Sequence, residues 1–221
     1  LYATLSLLAL VASCLYLTEI GGDLIGGILT EILGICITVF ILDVIISYTD
    51  ERRHYKINHL ALSYIKGLIG RLVELIQQQQ QSASGTNLAS AEWCKLLTPE
   101  VAETICNNLD PNGSCRTIYQ RPVDWMEHNK IFAEKFTSDL DSLIDKYLVY
   151  IPEDIIEKLE ATKHSIVFET YRISKTLELR QIRMGQDFQY LGGMTSFYVE
   201  LFDNCSSIRT MLVKYGIEMP R

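Results

Sequence analysis

The stretch "LIGGILTEILGICITVFILDVII", Leu24 to Ile46, decides what kind of protein the sequence predicts. At a rise of about 1.5 Å per residue, a helix of this length covers roughly 34 Å, enough for the ~30 Å hydrocarbon core of a bilayer. Two carboxylates, Glu31 and Asp43, interrupt the apolar run. The stretch therefore predicts a membrane-spanning helix whose acidic residues need an explanation.

A shorter apolar run, Leu1 to Leu17, precedes this stretch, and "TEIGGD", Thr18 to Asp23, joins the two. The pair Gly21-Gly22 suits a tight turn. A cleaved signal peptide is disfavoured because the first run has no basic segment before it and no small-residue cleavage site. Since the chain begins with Leu1, we expect further residues upstream. Residues 1–48 are thus predicted to form a transmembrane helical hairpin.

Charge predicts the orientation of this hairpin. Residues 1–48 contain no Lys, Arg or His, whereas Arg52, Arg53 and Lys56 follow the second run directly. Because basic residues favour the inner side of a membrane, this end is predicted to be cytoplasmic. We therefore expect a multi-pass protein of the bacterial inner membrane, in contact with lipid and with its C-terminal domain in the cytoplasm.

The rest of the chain is predicted to be helical, which makes the fold class all-α. Residues 49–76 predict a juxtamembrane helix, residues 77–87 with their glutamine run a linker or loop, and residues 88–221 a cytosolic helical bundle. Thr98 suits a helix N-cap, and that helix is expected to end near Leu109. A turn at "DPNGS" follows, and Pro122 is predicted to open the next helix.

Three long helices are predicted to complete the bundle, each with apolar residues at helical spacing. The stripes are Phe132, Phe136, Leu140, Leu143 and Tyr147 on the first; Ile155, Ile156, Leu159, Ile166, Thr170 and Ile173 on the second; and Met194, Tyr198, Leu201, Cys205, Ile208, Leu212 and Tyr215 on the third. Gly216 is predicted to end the third helix. Such stripes are typical of a bundle core and, less often, of a partner surface.

The first candidate site is one face of the second run. Gly27, Glu31, Gly34 and Thr38 share this face on a helix. Gly26, Thr30, Gly34 and Thr38 also recur every four residues, a pattern that lets helices approach closely. In a homo-oligomer, Glu31 and Thr38 would form rings such as those that line cation pores, and ions would be the ligands. The alternative is a protonated Glu31 that bonds another helix.

The second candidate is "RHYKINH", Arg53 to His59, which resembles the R-x4-6-H motif of the HEPN family of helical ribonucleases. The resemblance implies that Arg53 and His59 of paired chains contribute to RNA cleavage, with His54 at the polar position after Arg53. Membrane anchoring by basic residues explains Arg52, Arg53 and Lys56 equally well. The chain after residue 48 is slightly acidic, which gives no strong signal for nucleic-acid binding.

Metal and cofactor chemistry is not predicted. Cys94, Cys106, Cys115 and His128 could bind zinc, but no pair has the close spacing of a structural site. No phosphate-binding or dinucleotide-binding glycine motif occurs, and no hydrolase motif. We therefore predict no metal, no cofactor and no catalytic residue. In a reducing cytosol the cysteines are expected to stay unpaired.

The segment Leu29 to His54 resembles a type of uncharacterised bacterial two-span membrane protein with a cytosolic helical domain. The pattern T-E-x-x-G-x-x-x-T-x-x-x-x-D falls on Thr30, Glu31, Gly34, Thr38 and Asp43. The sequence thus predicts a homo-oligomeric integral membrane protein, an ion-conducting or membrane-permeabilising pore gated by its helical domain. The alternatives are a membrane-anchored scaffold or adaptor that recruits a partner, and a HEPN-like ribonuclease.

Overall fold

The computed structural model describes residues 2–85, 93–116, 122–183 and 190–219. Within these ranges it describes only the backbone of residues 2–12, 14–30, 32–33, 94 and 180–183. The elements are α1 (Tyr2–Ser84), α2 (Trp93–Leu96), α3 (Pro99–Asn108), β1 (Ser114–Arg116), β2 (Pro122–Asp124), α4 (Trp125–Tyr147), a 3-10 turn (Leu148–Tyr150), α5 (Glu153–Lys163), α6 (Ile166–Arg183) and α7 (Thr195–Lys214). The two short strands pair antiparallel, and the predicted helical class is confirmed.

Helix α1 runs without interruption from Tyr2 to Ser84. Its backbone stays helical through residues 18–23, where the turn of the hairpin was predicted. A glycine in a helix interior costs only about 1 kcal/mol relative to alanine, so Gly21-Gly22 does not have to end the helix. The predicted transmembrane hairpin of residues 1–48 is therefore wrong.

No helix in the described part of the chain is apolar over a length that could serve as a membrane span. Among the described side chains of α1, Glu31 and Asp43 divide the apolar sequence, and Asp50 to Arg53 follow closely. The free energy of inserting a charged residue near the middle of a span is unfavourable by about 2.5–3.5 kcal/mol. Several such residues make the total cost larger. The predicted multi-pass location in the bacterial inner membrane is contradicted by this finding.

The chain divides into two compact units, residues 1–56 and residues 57–221. The described residues of the first unit all belong to the N-terminal part of α1. The second unit is a helical bundle, which confirms that part of the prediction. The bundle includes the segment predicted as a separate juxtamembrane helix, because that segment's apolar face lies in the core. The core residues of this face are Ala61, Leu62, Ile65, Leu68, Ile69, Leu72, Val73, Leu75 and Ile76.

Packing in the second unit follows most of the predicted stripes on α4 and α7, but the stripe predicted on α6 is wrong. Ile166 and Ile173 are 47% and 46% exposed, and Phe168 and Tyr171 lie in the core instead. Helix α4 packs on α6, and α3 and α5 pack on α7. The rings of Phe136 and Phe168 lie 5.2 Å apart between α4 and α6, and Phe168 is fully buried. Leu201, Cys205 and Ile208 line the buried side of α7. Burial of these side chains supplies most of the bundle's stability.

Helix ends in the bundle are set by local sequence signals, as predicted for α3 and α7. The Thr98 hydroxyl caps α3 by accepting a hydrogen bond from the backbone N–H of Val101. Gly216 follows α7 with φ +80°, a conformation that suits glycine. Pro122, however, lies in strand β2, and α4 begins at Trp125 after the cap Asp124. The cap and not the proline sets the start of this helix.

Two further boundaries differ from the prediction. Residues 77–84, predicted as part of a linker or loop, continue α1. Glutamine is a good helix former, and Gln79 and Gln80 are buried against the bundle. The helix predicted across residues 155–173 is divided into α5 and α6, because the chain turns at His164 and Ser165. The Ser165 hydroxyl then accepts a hydrogen bond from the N–H of Phe168 at the start of α6.

Candidate functional site

Large apolar side chains are exposed on the part of α1 from Gly34 to Tyr48, which we call the apolar section. Their exposure ranges from 50% for Ile41 to 65% for Tyr48. The residues are Ile35, Val39, Ile41, Leu42, Val44, Ile45, Ile46 and Tyr48. At about 100° per residue they cover most of the circumference of the helix, and Asp43 lies in the remaining sector. A helix with so wide an apolar surface is normally buried by neighbours.

The predicted site residues lie at the N-terminal end of this section. Glu31, Gly34 and Thr38 are exposed and line one shallow surface groove together with Ile35 and Val39. The three residues thus lie on one side of α1, and their predicted role in a pore or an assembly face stays a prediction. Gly26, Gly27 and Thr30 lie outside the residues with described side chains, so their predicted part in packing stays a prediction.

The threonine hydroxyls of the apolar section are bonded within their own helix. Thr38 Oγ1 donates to the carbonyl oxygen of Gly34 at 2.8 Å, and Thr49 Oγ1 donates to that of Ile45 at 2.7 Å. Each hydroxyl proton is therefore already used. A threonine bonded in this way can be covered by an apolar neighbour without leaving a donor unsatisfied.

Basic residues lie beyond the C-terminal end of the section. Arg52, Arg53 and Lys56 are all exposed on α1, as is His59. Glu31 lies at one end of this part of the helix, and Arg52 and Arg53 lie at the other end, directly after Asp50 and Glu51. The predicted HEPN-like role of Arg53, His54 and His59 gains no further geometry from the structure and stays a prediction.

A buried polar network joins four elements inside the bundle. Gln79 Nε2 on α1 donates to Asn129 Oδ1 on α4 at 3.0 Å and to the Tyr171 hydroxyl on α6 at 2.8 Å. Tyr198 on α7 donates its hydroxyl proton to Gln79 Oε1 at 3.4 Å and is itself bonded to the Tyr171 hydroxyl. Asn129 Nδ2 donates to the Tyr190 hydroxyl at 2.9 Å.

The network is a structural device rather than a reaction centre. Gln79, Asn129 and Tyr198 are fully buried. Burial raises the pKa of Tyr198 well above its ordinary value, so its phenol stays protonated. Closed networks of neutral groups fix the arrangement of a core. This network was not predicted. The burial of Gln79 could have been, because Gln79 continues the helical spacing of the apolar residues Leu72, Leu75 and Ile76.

Burial disfavours reaction of the three cysteine thiols inside the bundle and of His128. Burial raises the pKa of Cys106 to about 11 and that of Cys205 to about 12, and it also raises the pKa of Cys115. A protonated thiol is a poor nucleophile and a poor metal ligand. Burial lowers the pKa of His128, whose ring touches Trp125. In the described ranges no three His, Cys, Asp or Glu residues are grouped to hold a metal ion, and Cys94 lies outside the described side chains.

A polar groove of about 470 Å³ lies between α4, α5 and α6. Lys163 Nζ lies 2.5 Å from Asp141 Oδ1, and this hydrogen bond is the main reason why the pKa of Lys163 is raised. Arg172 bonds Thr137 at 2.6 Å and Glu169 at 2.5 Å. The bonds of Lys163 to Asp141 and of Arg172 to Thr137 tie α5 and α6 to α4.

Comparisons of the chain with family models, with curated proteins and with solved structures find no match. The resemblances to two-span membrane proteins and to HEPN ribonucleases therefore stay predictions.

Proposed function

We propose that this protein is a homo-oligomeric helical scaffold or adaptor, in which the apolar section of α1 joins copies of the chain. The observation that supports this proposal is the exposure of apolar side chains around most of the circumference of that section. Ile35, Leu42 and Ile46 expose 64%, 52% and 57% of their surface. Apolar patches of this kind mark association surfaces in proteins.

Burial of these apolar side chains between copies of the chain lowers the free energy of the assembly. Removal of apolar surface from water gains roughly 25 cal/mol per Å², and complete burial of one Leu or Ile gains roughly 1.5–3 kcal/mol. Eight large apolar residues are half exposed or more in the apolar section. Burial of only some of them against other copies offsets the cost of association, which is about 4–15 kcal/mol.

The bundle of residues 57–221 is the part that such an assembly would present to partners. Its surface offers an apolar and aromatic groove between α1 and α4, where the rings of Tyr64 and Tyr147 stack at 6.0 Å. Gly67 leaves open space at the same groove, and Arg71 is bonded there to Asp139 at 2.9 Å. An adaptor would recruit a partner through a surface of this kind.

The predicted pore is not part of this proposal, since it required a hairpin that crosses a membrane. The predicted ribonuclease is not part of this proposal either, and the roles of Arg53 and His59 in it stay predictions. The adaptor was predicted to be anchored in a membrane. The proposal keeps its assembly and recruiting role without that anchor, and the exposed surfaces of α1 and of the bundle support it.

Sedimentation velocity of the purified chain over a range of concentrations tests the proposal. We expect the wild type to form oligomers, and Leu42→Glu with Ile45→Glu to give smaller species of unchanged helical content. Ile131→Glu is the matched control, because Ile131 is equally exposed but lies on α4. It should leave the size distribution unchanged. A wild type that stays monomeric at every concentration overturns the proposal.

A further inference from the structure

One stripe of α1 has a symmetrical spacing about Leu42. At about 100° per residue, its members lie within about 60° of Glu31 around the helix. The stripe consists of Glu31, Ile35, Thr38, Leu42, Ile46, Thr49 and Arg53. All seven side chains are exposed. The stripe carries a carboxylate at one end, a guanidinium at the other and apolar or internally bonded side chains between them.

This symmetry makes the stripe complementary to a second copy that runs in the opposite direction. With Leu42 opposite Leu42, Glu31 of each chain faces Arg53 of the other, and Ile35 faces Thr49. A two-fold axis repeats each contact, so the pair contains two ion pairs with the apolar residues between them. Opposite charges at both ends favour this register and disfavour shifted ones.

A parallel pair has the opposite electrostatics. It places Glu31 beside Glu31 and Arg53 beside Arg53, and like charges that face each other across an interface are destabilising. The first 48 residues contain no Lys, Arg or His that could balance a ring of Glu31 carboxylates. In the antiparallel arrangement, Arg53 of the second chain lies opposite Glu31 and balances its charge.

We infer that neighbouring copies of this chain pair through α1 in antiparallel direction, with Glu31 of each copy bonded to Arg53 of the other. This inference rests on the proposed self-assembly and adds its partner, direction and register. Two further features agree with it. The hydroxyls of Thr38 and Thr49 are bonded to their own helix, so a neighbour can cover them. Asp43 lies about 120° from Glu31 around the helix and stays outside the contact.

Charge reversal tests the direction of pairing. In an antiparallel pair, Glu31→Lys turns two attractions into two repulsions, and the dissociation constant should rise roughly tenfold to a hundredfold. The double variant Glu31→Lys with Arg53→Glu restores both ion pairs and should regain most of the wild-type affinity. Asp43→Lys is the matched control: it makes the same charge change outside the stripe and should have a much smaller effect.

The outcomes separate the two proposals. Oligomers that tolerate Glu31→Lys without weakening overturn the antiparallel pairing and leave the scaffold standing. A wild type that stays monomeric overturns both. Weakening by Glu31→Lys that Arg53→Glu does not restore also overturns the pairing of these two residues.

Disulfide cross-linking gives an independent measurement of the same geometry. Cysteines cross-link when their Cα atoms come within about 7 Å. In chains with Cys14 and Cys36 replaced by alanine, a mixture of Ile35→Cys and Thr49→Cys chains should form the mixed dimer under mild oxidation. Ile35→Cys alone should not cross-link with itself. Efficient self-linking of Ile35→Cys indicates a parallel pair and contradicts the inference.

Discussion

Replacement of Gln79 by alanine should destabilise the bundle strongly, although the glutamine stands in a run of five identical residues. Its side chain is fully buried and bonds Asn129 and Tyr171 through Nε2 and Tyr198 through Oε1. Because Tyr198 gives its only hydroxyl proton to Gln79, Tyr171 must donate to Tyr198. Gln79 and the two tyrosines thus form a closed ring of hydrogen bonds.

The expected loss in the free energy of unfolding follows from the polar groups that Gln79→Ala leaves without hydrogen-bond partners. Gln79→Ala removes the donor to Asn129 Oδ1 and the acceptor of the Tyr198 hydroxyl. Each buried group left unsatisfied costs about 1–3 kcal/mol, so the free energy of unfolding should fall by about 2–6 kcal/mol. That is a large part of the 5–15 kcal/mol typical of a folded domain.

Urea unfolding followed by far-UV circular dichroism measures this change, at one protein concentration because self-association adds to apparent stability. Gln78→Ala is the matched control, since Gln78 is the preceding residue of the same run but is exposed. It should change the free energy of unfolding by less than about 0.5 kcal/mol. Equal stability of the Gln79 and Gln78 variants would refute the reasoning. Tyr198→Phe combined with Gln79→Ala should cost less than the sum of the two single changes.

Two further predictions concern buried thiols and a helix cap. Burial raises the pKa of Cys106 to about 11 and that of Cys205 to about 12 from an ordinary value of 9.0, so the folded state holds these protons more tightly than the unfolded state. Stability from this source is complete below pH 9 and falls as the pH rises towards these values, which pH-dependent unfolding can measure. Asp124 accepts a hydrogen bond from the Glu127 N–H at 2.7 Å, and Asp124→Ala should therefore lower the free energy of unfolding by about 1 kcal/mol. Asp124→Asn keeps a capping oxygen and should cost less, and equal losses in both variants would contradict the capping role.

Helix ends show how far local sequence carries a prediction in this protein. Thr98 and Gly216 mark the start of α3 and the end of α7 as predicted, because a capping hydroxyl and a glycine in left-handed conformation act on the nearest few residues. The start of α4 was placed at Pro122 instead of Trp125. The start of this helix is set by the capping carboxylate of Asp124 and not by Pro122. Both residues favour a helix start and lie within three positions of each other, so the sequence alone does not decide between them.

The apolar section shows where composition alone misleads. The sequence from Leu24 to Ile46 predicts a membrane span by its length and apolar content, and Gly21-Gly22 suggests a turn before it. Neither feature decides whether the helix ends at the glycines. A helix can continue through glycine because the free-energy cost is small. Glu31, Gly34 and Thr38 nevertheless line one groove of α1, because their position around the helix depends only on helical periodicity.

Sequence patterns were enough to predict that the chain is helical and which residues of α4 and α7 enter the core. These properties follow from a repeat of 3.6 residues and from caps within one turn. The continuation of α1 through the glutamine run depends on tertiary contacts instead. The partners of Gln79 lie 50, 92 and 119 residues away in the chain, so no local pattern could identify them.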